Sequence, residues 1–329
     1  MMSQEQITTE ELQRAVGTIQ KILNYYNSKM VGQPFLGNAI LISMMANGHI
    51  LMESVPGLAK TTAAKVMTEA VGGSFSRIQC TPDLIPSDII GTQIYNATEN
   101  TFETKVGPVY ANFVLLDEVN RSSAKTQSAM LEAMQEHAIT IGGEHIKMPE
   151  VFVVIATQNP IEQEGTYVLS EAQLDRFLLK VNLTYPERDA EVEILNRIES
   201  GVFEAVASVT DIEEIIFLQK LRKRVYVDNL VKQYIVDIVQ ATRNPERYIS
   251  EDLAQYINMG ASTRAAITFM EAAKAVAIIN GRGYVTPDDV KFLRYGVLGH
   301  RIGLNYAAMA DGIKVEEIVD AIVGAVPTP

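Results

Sequence analysis

The stretch HILMESVPGLAKT, residues 49 to 61, runs from short and apolar into a turn carrying Pro, Gly and Lys, the pattern of a buried strand that delivers a phosphate-binding loop. Aligned with the general pattern (Gly, four residues, Gly, Lys, then Ser or Thr), it puts Lys60 and Thr61 in the lysine and hydroxyl positions. Ser54 and Ala59 stand where the two glycines are expected, which leaves Pro56 and Gly57 to shape the turn. A loop of backbone N–H groups ending at a helix N-terminus cradles anionic oxygens, and a lysine ammonium reaches the terminal phosphates. The candidate nucleotide loop is therefore Pro56, Gly57, Leu58, Ala59, Lys60, Thr61 and Thr62, with Thr61 as a magnesium ligand. An ordinary turn between a strand and a helix is the other reading of Pro56 and Gly57.

Outward from that loop, short apolar runs alternate with helical or turn segments: residues 49–54, 74–80 (SFSRIQC), 112–118 (NFVLLDE), 151–159 (VFVVIATQN) and 177–183 (FLLKVNL). Such alternation predicts a mostly parallel sheet flanked by helices, an α/β domain. Upstream, Thr8 and Glu11 have the spacing of a capping box that opens a first helix, ending before Val31-Gly32-Gln33-Pro34, and a second helix covers 35–47. Residues 138–148 (AITIGGEHIKM) alternate in polarity around Gly142-Gly143, a hairpin signal. After Tyr185-Pro186 the remaining segments read as helices, at 187–200, 211–223, 229–242, 262–280 and 286–299. The expected domains are thus an α/β unit over 1–185 and an all-helical unit over 186–329. Asp288 and Asp289, after Thr286-Pro287, sit in the first turn of the last of these helices and read as capping residues rather than catalytic ones.

Composition narrows the function classes. With 329 residues, 47% hydrophobic and 21% charged, the chain is long enough for two domains and ordinary for a globular protein. A net charge of -12 argues against nonspecific nucleic-acid binding, which depends on neutralising phosphates with Lys and Arg. Cys80 is the only cysteine, and the four histidines, His49, His137, His145 and His300, lack metal-ligand spacing. His49 reads as a packed or capping residue. The polar, acidic start MMSQEQITTEELQ lacks the features of a secretory signal, and no run reaches the length of a membrane span, so a cytoplasmic location without membrane insertion is expected.

The run FVLLDEVNR places Asp117 and Glu118 at the end of a buried strand, the edge where open parallel sheets present ligands. Asp117 suits magnesium, directly or through water, and Glu118 suits polarisation of an attacking water; a solvated strand end before a helix cap is the bland reading. The next strand ends at Asn159, whose neutral amide can align water or touch a terminal phosphate, although Asn before Pro is also a turn signal. In EAQLDRF, Arg176 closes a short helix, where its guanidinium can stabilise a transferring phosphoryl group in cis or from a neighbouring subunit; an ion pair with Asp175 is the alternative.

The order ESVPGLAKT, TPDLIPSDIIG, LLDEVNRSSAKTQSAMLEAMQE, VIATQNPIEQEGTYVLSEAQLDRF and GASTRA resembles the MoxR family of AAA+ ATPases over residues 30–329. The resemblance implies an AAA+ P-loop core followed by an all-α lid, and ATP with Mg2+ as cofactors. It implies that Lys60 and Thr61 belong to Walker A, Asp117 and Glu118 to Walker B, and Asn159 to sensor 1. It further implies that Arg176 is an arginine finger acting on the adjacent protomer, that Arg264 in GASTRA is sensor 2, and that Gln33 borders the adenine pocket. Residues 81–110 resemble the family's insertion and 138–148 its hairpin before sensor 1, each a client-contacting or subunit-packing element. The chain departs from the family in having Ser54 for Gly, Val168 and Ser170 near a usual Pro, and Thr263 for Pro; Ala59 is usual. If position 54 needs positive φ, serine there costs about 1 kcal/mol. The resemblance implies a ring, hexameric by expectation, that matures or activates partner complexes with a von Willebrand factor A domain protein. The alternatives are the motor subunit of a metal-insertion complex similar to magnesium chelatase and a nucleotide-gated scaffold with little turnover. A DNA helicase is a further alternative, disfavoured by the lack of a basic DNA-binding module.

Overall fold

The computed structural model describes residues 6–55, 57–160, 166–199 and 207–329. The chain divides into two compact units, one of Gln20–Leu169 with Val181–Ile216 and the other of Met1–Ile19, Ser170–Lys180 and Phe217–Pro329. In chain order the strands are β1 (Ile50–Glu53), β2 (Phe75–Gln79), β3 (Gly91–Asn96), β4 (Thr101–Val106), β5 (Phe113–Asp117), β6 (Ala138–Ile141), β7 (Glu144–Lys147), β8 (Val153–Gln158), β9 (Leu179–Asn182), β10 (Ile257–Met259) and β11 (Gly303–Leu304).

The five apolar runs of the sequence become one sheet in the order β2-β5-β8-β1-β9. The β2–β5, β5–β8 and β8–β1 pairs are parallel. All five residues of β5 are buried, as are the first five of β8, which is why both read as unbroken apolar runs rather than alternating ones. Register aligns their ends: Gln79 pairs with Asp117, Leu116 with Ala156, and Gln158 with Glu53. One edge of the sheet therefore collects the C-terminal ends of four neighbouring strands. Helices Thr9–Lys29 and Pro34–Ala46 precede β1. The first opens on the expected box, with the Thr8 N–H donating to Glu11 (2.9 Å) and the Glu11 N–H to the Thr8 hydroxyl (3.2 Å).

Two hairpins leave this plan. β6 and β7 meet at Gly142 (φ 55) and Gly143 (φ 88), the paired left-handed conformation of a tight hairpin turn. A Cβ on Gly142 would fall 2.0 Å from the end of the Gln93 side chain, which would have to swing aside, so it is chiefly the left-handed φ that calls for glycine in the turn. β3 and β4 form an antiparallel ribbon inside the 81–110 segment, where the sequence reading assigned no strand. Polar residues on both faces hide its period, and Ile94, Tyr95, Phe102 and Val106 remain exposed.

The other unit is built on helices Ile212–Arg224, Asn229–Arg243 and Thr263–Ile279 with a C-terminal helix Val315–Ala325; the first of these helices begins in the preceding unit. Two expectations change here. The helix read at 286–299 is broken into Pro287–Phe292 and Arg294–Leu298, because the chain tightens at buried Leu293, whose N–H donates to Val290 three residues back. The region is also not purely helical, since β10 and β11 pair antiparallel. Asp289 is structural as read: it accepts from the Thr286 N–H (2.8 Å) and from both arms of Arg282 (2.9 and 2.6 Å). No described helix is long and apolar enough to cross a membrane.

Candidate functional site

The loop after β1 is tied to the sheet before it turns. The Ser54 N–H donates to the Gln158 carbonyl (3.1 Å), continuing the β1–β8 ladder by one residue, and the buried Ser54 hydroxyl donates to the Val55 carbonyl (3.0 Å). Ser54 is not among the positive-φ residues, so serine there carries no left-handed strain, and the strain expected of it does not arise. The left-handed positions are Gly57 (φ 87) and Ala59 (φ 52), the latter immediately before helix Lys60–Val71. No described side chain caps that helix, and its first turn presents Thr61 and Thr62 beside the loop. The Lys60 ammonium donates to the Ser54 carbonyl (3.3 Å), so it folds back across the loop. Pro56 lies outside the described residues.

Two strands along the same sheet edge, β5 ends in Asp117. Its Oδ1 accepts from the Thr157 hydroxyl (2.8 Å), and the Thr157 oxygen in turn accepts the Glu118 N–H (2.8 Å). One hydroxyl on β8 thus orients both acids. Asp117 Oδ2 accepts from the Arg77 guanidinium (2.7 Å), which also donates to Gln79 (2.8 Å). Glu118 accepts from Gln79 (3.1 Å) and lies 3.2 Å from Arg121. Its backbone is left-handed (φ 58), an unfavourable conformation for a glutamate, which turns the carboxylate off the strand direction. Asn159 follows β8 directly and is buried, its carbonyl 3.5 Å from the Asn120 amide.

Sequence reasoning missed Thr157, Arg77, Gln79 and Arg121. Arg77 and Gln79 are two apart on β2 and so share one face, a signal available in SFSRIQC once β2 is known to neighbour β5. The oxygen donors Thr61 and Asp117 are of the type magnesium takes, and the Arg77 contact already shows that Asp117 directs one oxygen toward a cation.

Gln33 donates to the Thr184 carbonyl (2.9 Å), which joins the segment before helix Pro34–Ala46 to the chain after β9. Two clefts, of about 420 and 450 Å³, share Met30, Val31, Ala59 and Ile194 as walls. One continues over Gln33, Gly57 and Leu58, the other over Thr61, Thr62 and Glu69. Apolar walls leading to an uncapped helix start suit a base and its phosphates.

Arg176 and Arg264 belong to the other unit. The carboxylate of Asp175 accepts from Ser262 (2.8 Å) and Arg301 (2.7 Å) and lies 3.8 Å from Arg264. The ion pair between Asp175 and Arg176 is replaced by these partners, and the buried Arg176 Nε has no hydrogen-bond partner among the described residues. The Ser170–Gln173 box, with the Ser170 N–H donating to Gln173 (2.8 Å), starts the short helix Glu171–Leu174 without the proline that the family has nearby. Arg301 was not legible from the sequence, because its contacts with residues 175–178 span more than a hundred positions.

A model of the ATPase family associated with various cellular activities (AAA) matches residues 49–179, and a model of the AAA lid domain matches 250–322. The chain is 43% identical over 321 residues to the Mycobacterium tuberculosis protein named Chaperone MoxR1, covering 97% of this chain and 85% of that one. It is 43% identical over 310 residues to Bacillus subtilis YeaC, covering 94% of each. A crystal structure of a Cytophaga hutchinsonii chain assigned as an ATPase superposes with a TM-score of 0.91 at 44% identity, covering 97% of both.

Proposed function

The chain belongs to the MoxR-like family of AAA ATPases, and from that premise we propose that it hydrolyses ATP within a homo-oligomeric ring and uses the resulting rearrangement to mature or activate partner protein complexes. The single observation that supports hydrolysis best is the shared sheet edge. There the uncapped helix start at Lys60 and the acid pair Asp117-Glu118 come from strands separated by only β8. Strand spacing of about 4.8 Å puts those ends roughly 10 Å apart, a distance that a triphosphate and its attacking water can bridge.

In this reading the first-turn N–H groups and the Lys60 ammonium bind the phosphates, while Met30, Val31 and Ile194 exclude water around the base. Thr61 and Asp117 would hold Mg2+, which when bound spreads the charge developing on the phosphate oxygens. Glu118 accepts the proton of the attacking water at its carboxylate, held in place by Thr157 through the backbone, and Asn159 orients that water. Arg176, supplied by the neighbouring protomer, and Arg264 are the guanidinium groups that would offset charge on the transferring phosphoryl group. The partner class, a protein with a von Willebrand factor A domain, is carried over from the family resemblance alone; separately, a chain of charge -12 is ill suited to a nucleic-acid client.

The test is phosphate release with ATP and Mg2+ by wild type and Glu118→Gln. The expected outcome is turnover in the wild type, with loss of at least about a hundredfold in the variant while ATP is still bound. Release at background level from concentrated wild-type protein would sink the hydrolase reading in favour of a nucleotide-gated scaffold. Co-purification with the Glu118→Gln form, which holds ATP, identifies the partner.

A further inference from the structure

Arg301 is 3% exposed, and its guanidinium is committed in a particular way. Its Nη2 donates to the carbonyl of Asp175 (3.2 Å) and to that of Phe177 (2.6 Å), the two carbonyls that bracket Arg176. Its Nη1 donates to the Leu178 carbonyl (3.3 Å) and to that of Val297 in the preceding helix Arg294–Leu298 (2.7 Å), and its Nε donates to the Asp175 carboxylate (2.7 Å). The neighbouring buried His300 ring contacts the same Phe177 carbonyl through Nε2 (3.2 Å). A planar fork thus holds the backbone on both sides of Arg176 and takes up the adjacent carboxylate that would otherwise draw the Arg176 guanidinium down.

The helix that precedes Arg176 spans only Glu171–Leu174, a single turn with no independent stability. The direction in which the Arg176 side chain leaves the backbone is therefore set by what grips residues 175–178, and the grip comes mainly from Arg301. We infer that Arg301 is the positioning residue for Arg176, fixing the backbone from which that side chain acts on another copy of this chain. The inference rests on the reading of Arg176 as a finger supplied in trans.

The test mixes protomers. Arg176→Ala and Lys60→Ala chains are each expected to be inactive alone, but mixed rings regain hydrolysis where a Lys60→Ala chain offers its intact Arg176 to the intact loop of its neighbour. Arg301→Lys keeps the charge but loses the fork, and its own turnover should fall by about a hundredfold, the scale of a misplaced group. Mixed with Lys60→Ala, it should regain hydrolysis as Arg176→Ala does, which requires an Arg301→Lys chain that folds and binds nucleotide. A purely structural role for Arg301 gives no such recovery. Recovery with Arg176→Ala but not with Arg301→Lys overturns the inference alone. Silence in both mixtures overturns the trans reading and the inference with it.

Removal of a buried fork endangers the fold of the variant, so hydrogen exchange in the wild type supplies a second readout. The amides of Asp175, Arg176 and Phe177 donate to Glu171, Gln173 and Leu174, bonds that a lone helical turn cannot protect. Exchange there as slow as in helix Thr263–Ile279 is expected; exchange at the rate of an open loop overturns the clamp.

Discussion

Ala59 has a left-handed backbone (φ 52) where the phosphate-loop pattern carries glycine, and Ser54, the other altered position, does not. The cost of a Cβ in that conformation, about 1–2 kcal/mol, is offset in part by the extra chain entropy a glycine would lose on folding. Ala59→Gly is therefore expected to raise stability by up to about 1 kcal/mol in urea denaturation, whereas Ser54→Gly should lower it, because glycine keeps the ladder N–H but loses the buried hydroxyl that donates to the Val55 carbonyl and adds chain entropy to the unfolded state. Asp117 offers a second residue-scale prediction. Its contact with half-exposed Arg77 is an ion pair of the kind worth at most about 1 kcal/mol, and it competes with any cation at the same oxygen. Arg77→Gln should lower the Mg2+ concentration for half-maximal labelled-ATP binding by up to about fivefold. An unchanged or higher requirement would show that Arg77 assists rather than competes.

Among the elements, the joint between β1, β8 and helix Ala124–Glu136 runs through a single imidazole. His49 Nδ1 accepts the Val154 N–H (3.0 Å) while Nε2 meets the Met134 carbonyl (3.0 Å), an arrangement that needs the neutral ring with its proton on Nε2. Burial, helped by the nearby His137 and opposed by the Met134 bond, lowers its pKa from 6.5 to about 4. The unfolded chain thus takes up the proton first as pH falls. The contribution of His49 is fully present above the unfolded pKa and is lost going down toward pH 4, at about 1.4 kcal/mol per unit. The stability difference between wild type and His49→Gln should therefore shrink between about pH 7 and about pH 5; a constant difference would contradict a neutral buried ring. At this scale the sequence was readable wherever a period was clean. The parallel strands, the Thr8–Glu11 box and the Gly142-Gly143 hairpin follow from local pattern. The β3–β4 ribbon and the break at Leu293 do not, because both faces of the ribbon are polar and Leu293 fits a helical stripe equally well on either side of a tightened turn.

Across the whole molecule, binding to the folded state alone raises apparent stability, by about 2.7 kcal/mol at ligand a hundredfold above Kd. ATP with Mg2+ should accordingly raise the thermal midpoint of the unit that carries Lys60 by several degrees, and Lys60→Ala should abolish the shift. A shift retained in Lys60→Ala would place the nucleotide elsewhere than at helix Lys60–Val71. The sequence by itself determined the strand runs, most of the helices and the order of the motifs, since side-chain period, capping and turn chemistry act within a few residues. It also showed which residues have the chemistry for phosphate and metal. Tertiary structure decided which of them meet. Arg77 reaches Asp117 across 40 positions and Arg301 reaches Asp175 across 126, contacts set by strand order and helix packing that no local spacing encodes. The same packing tied Ser54 into the ladder with β8 and left Arg176 beside a carboxylate already occupied, because each depends on what a distant segment presents to the chain.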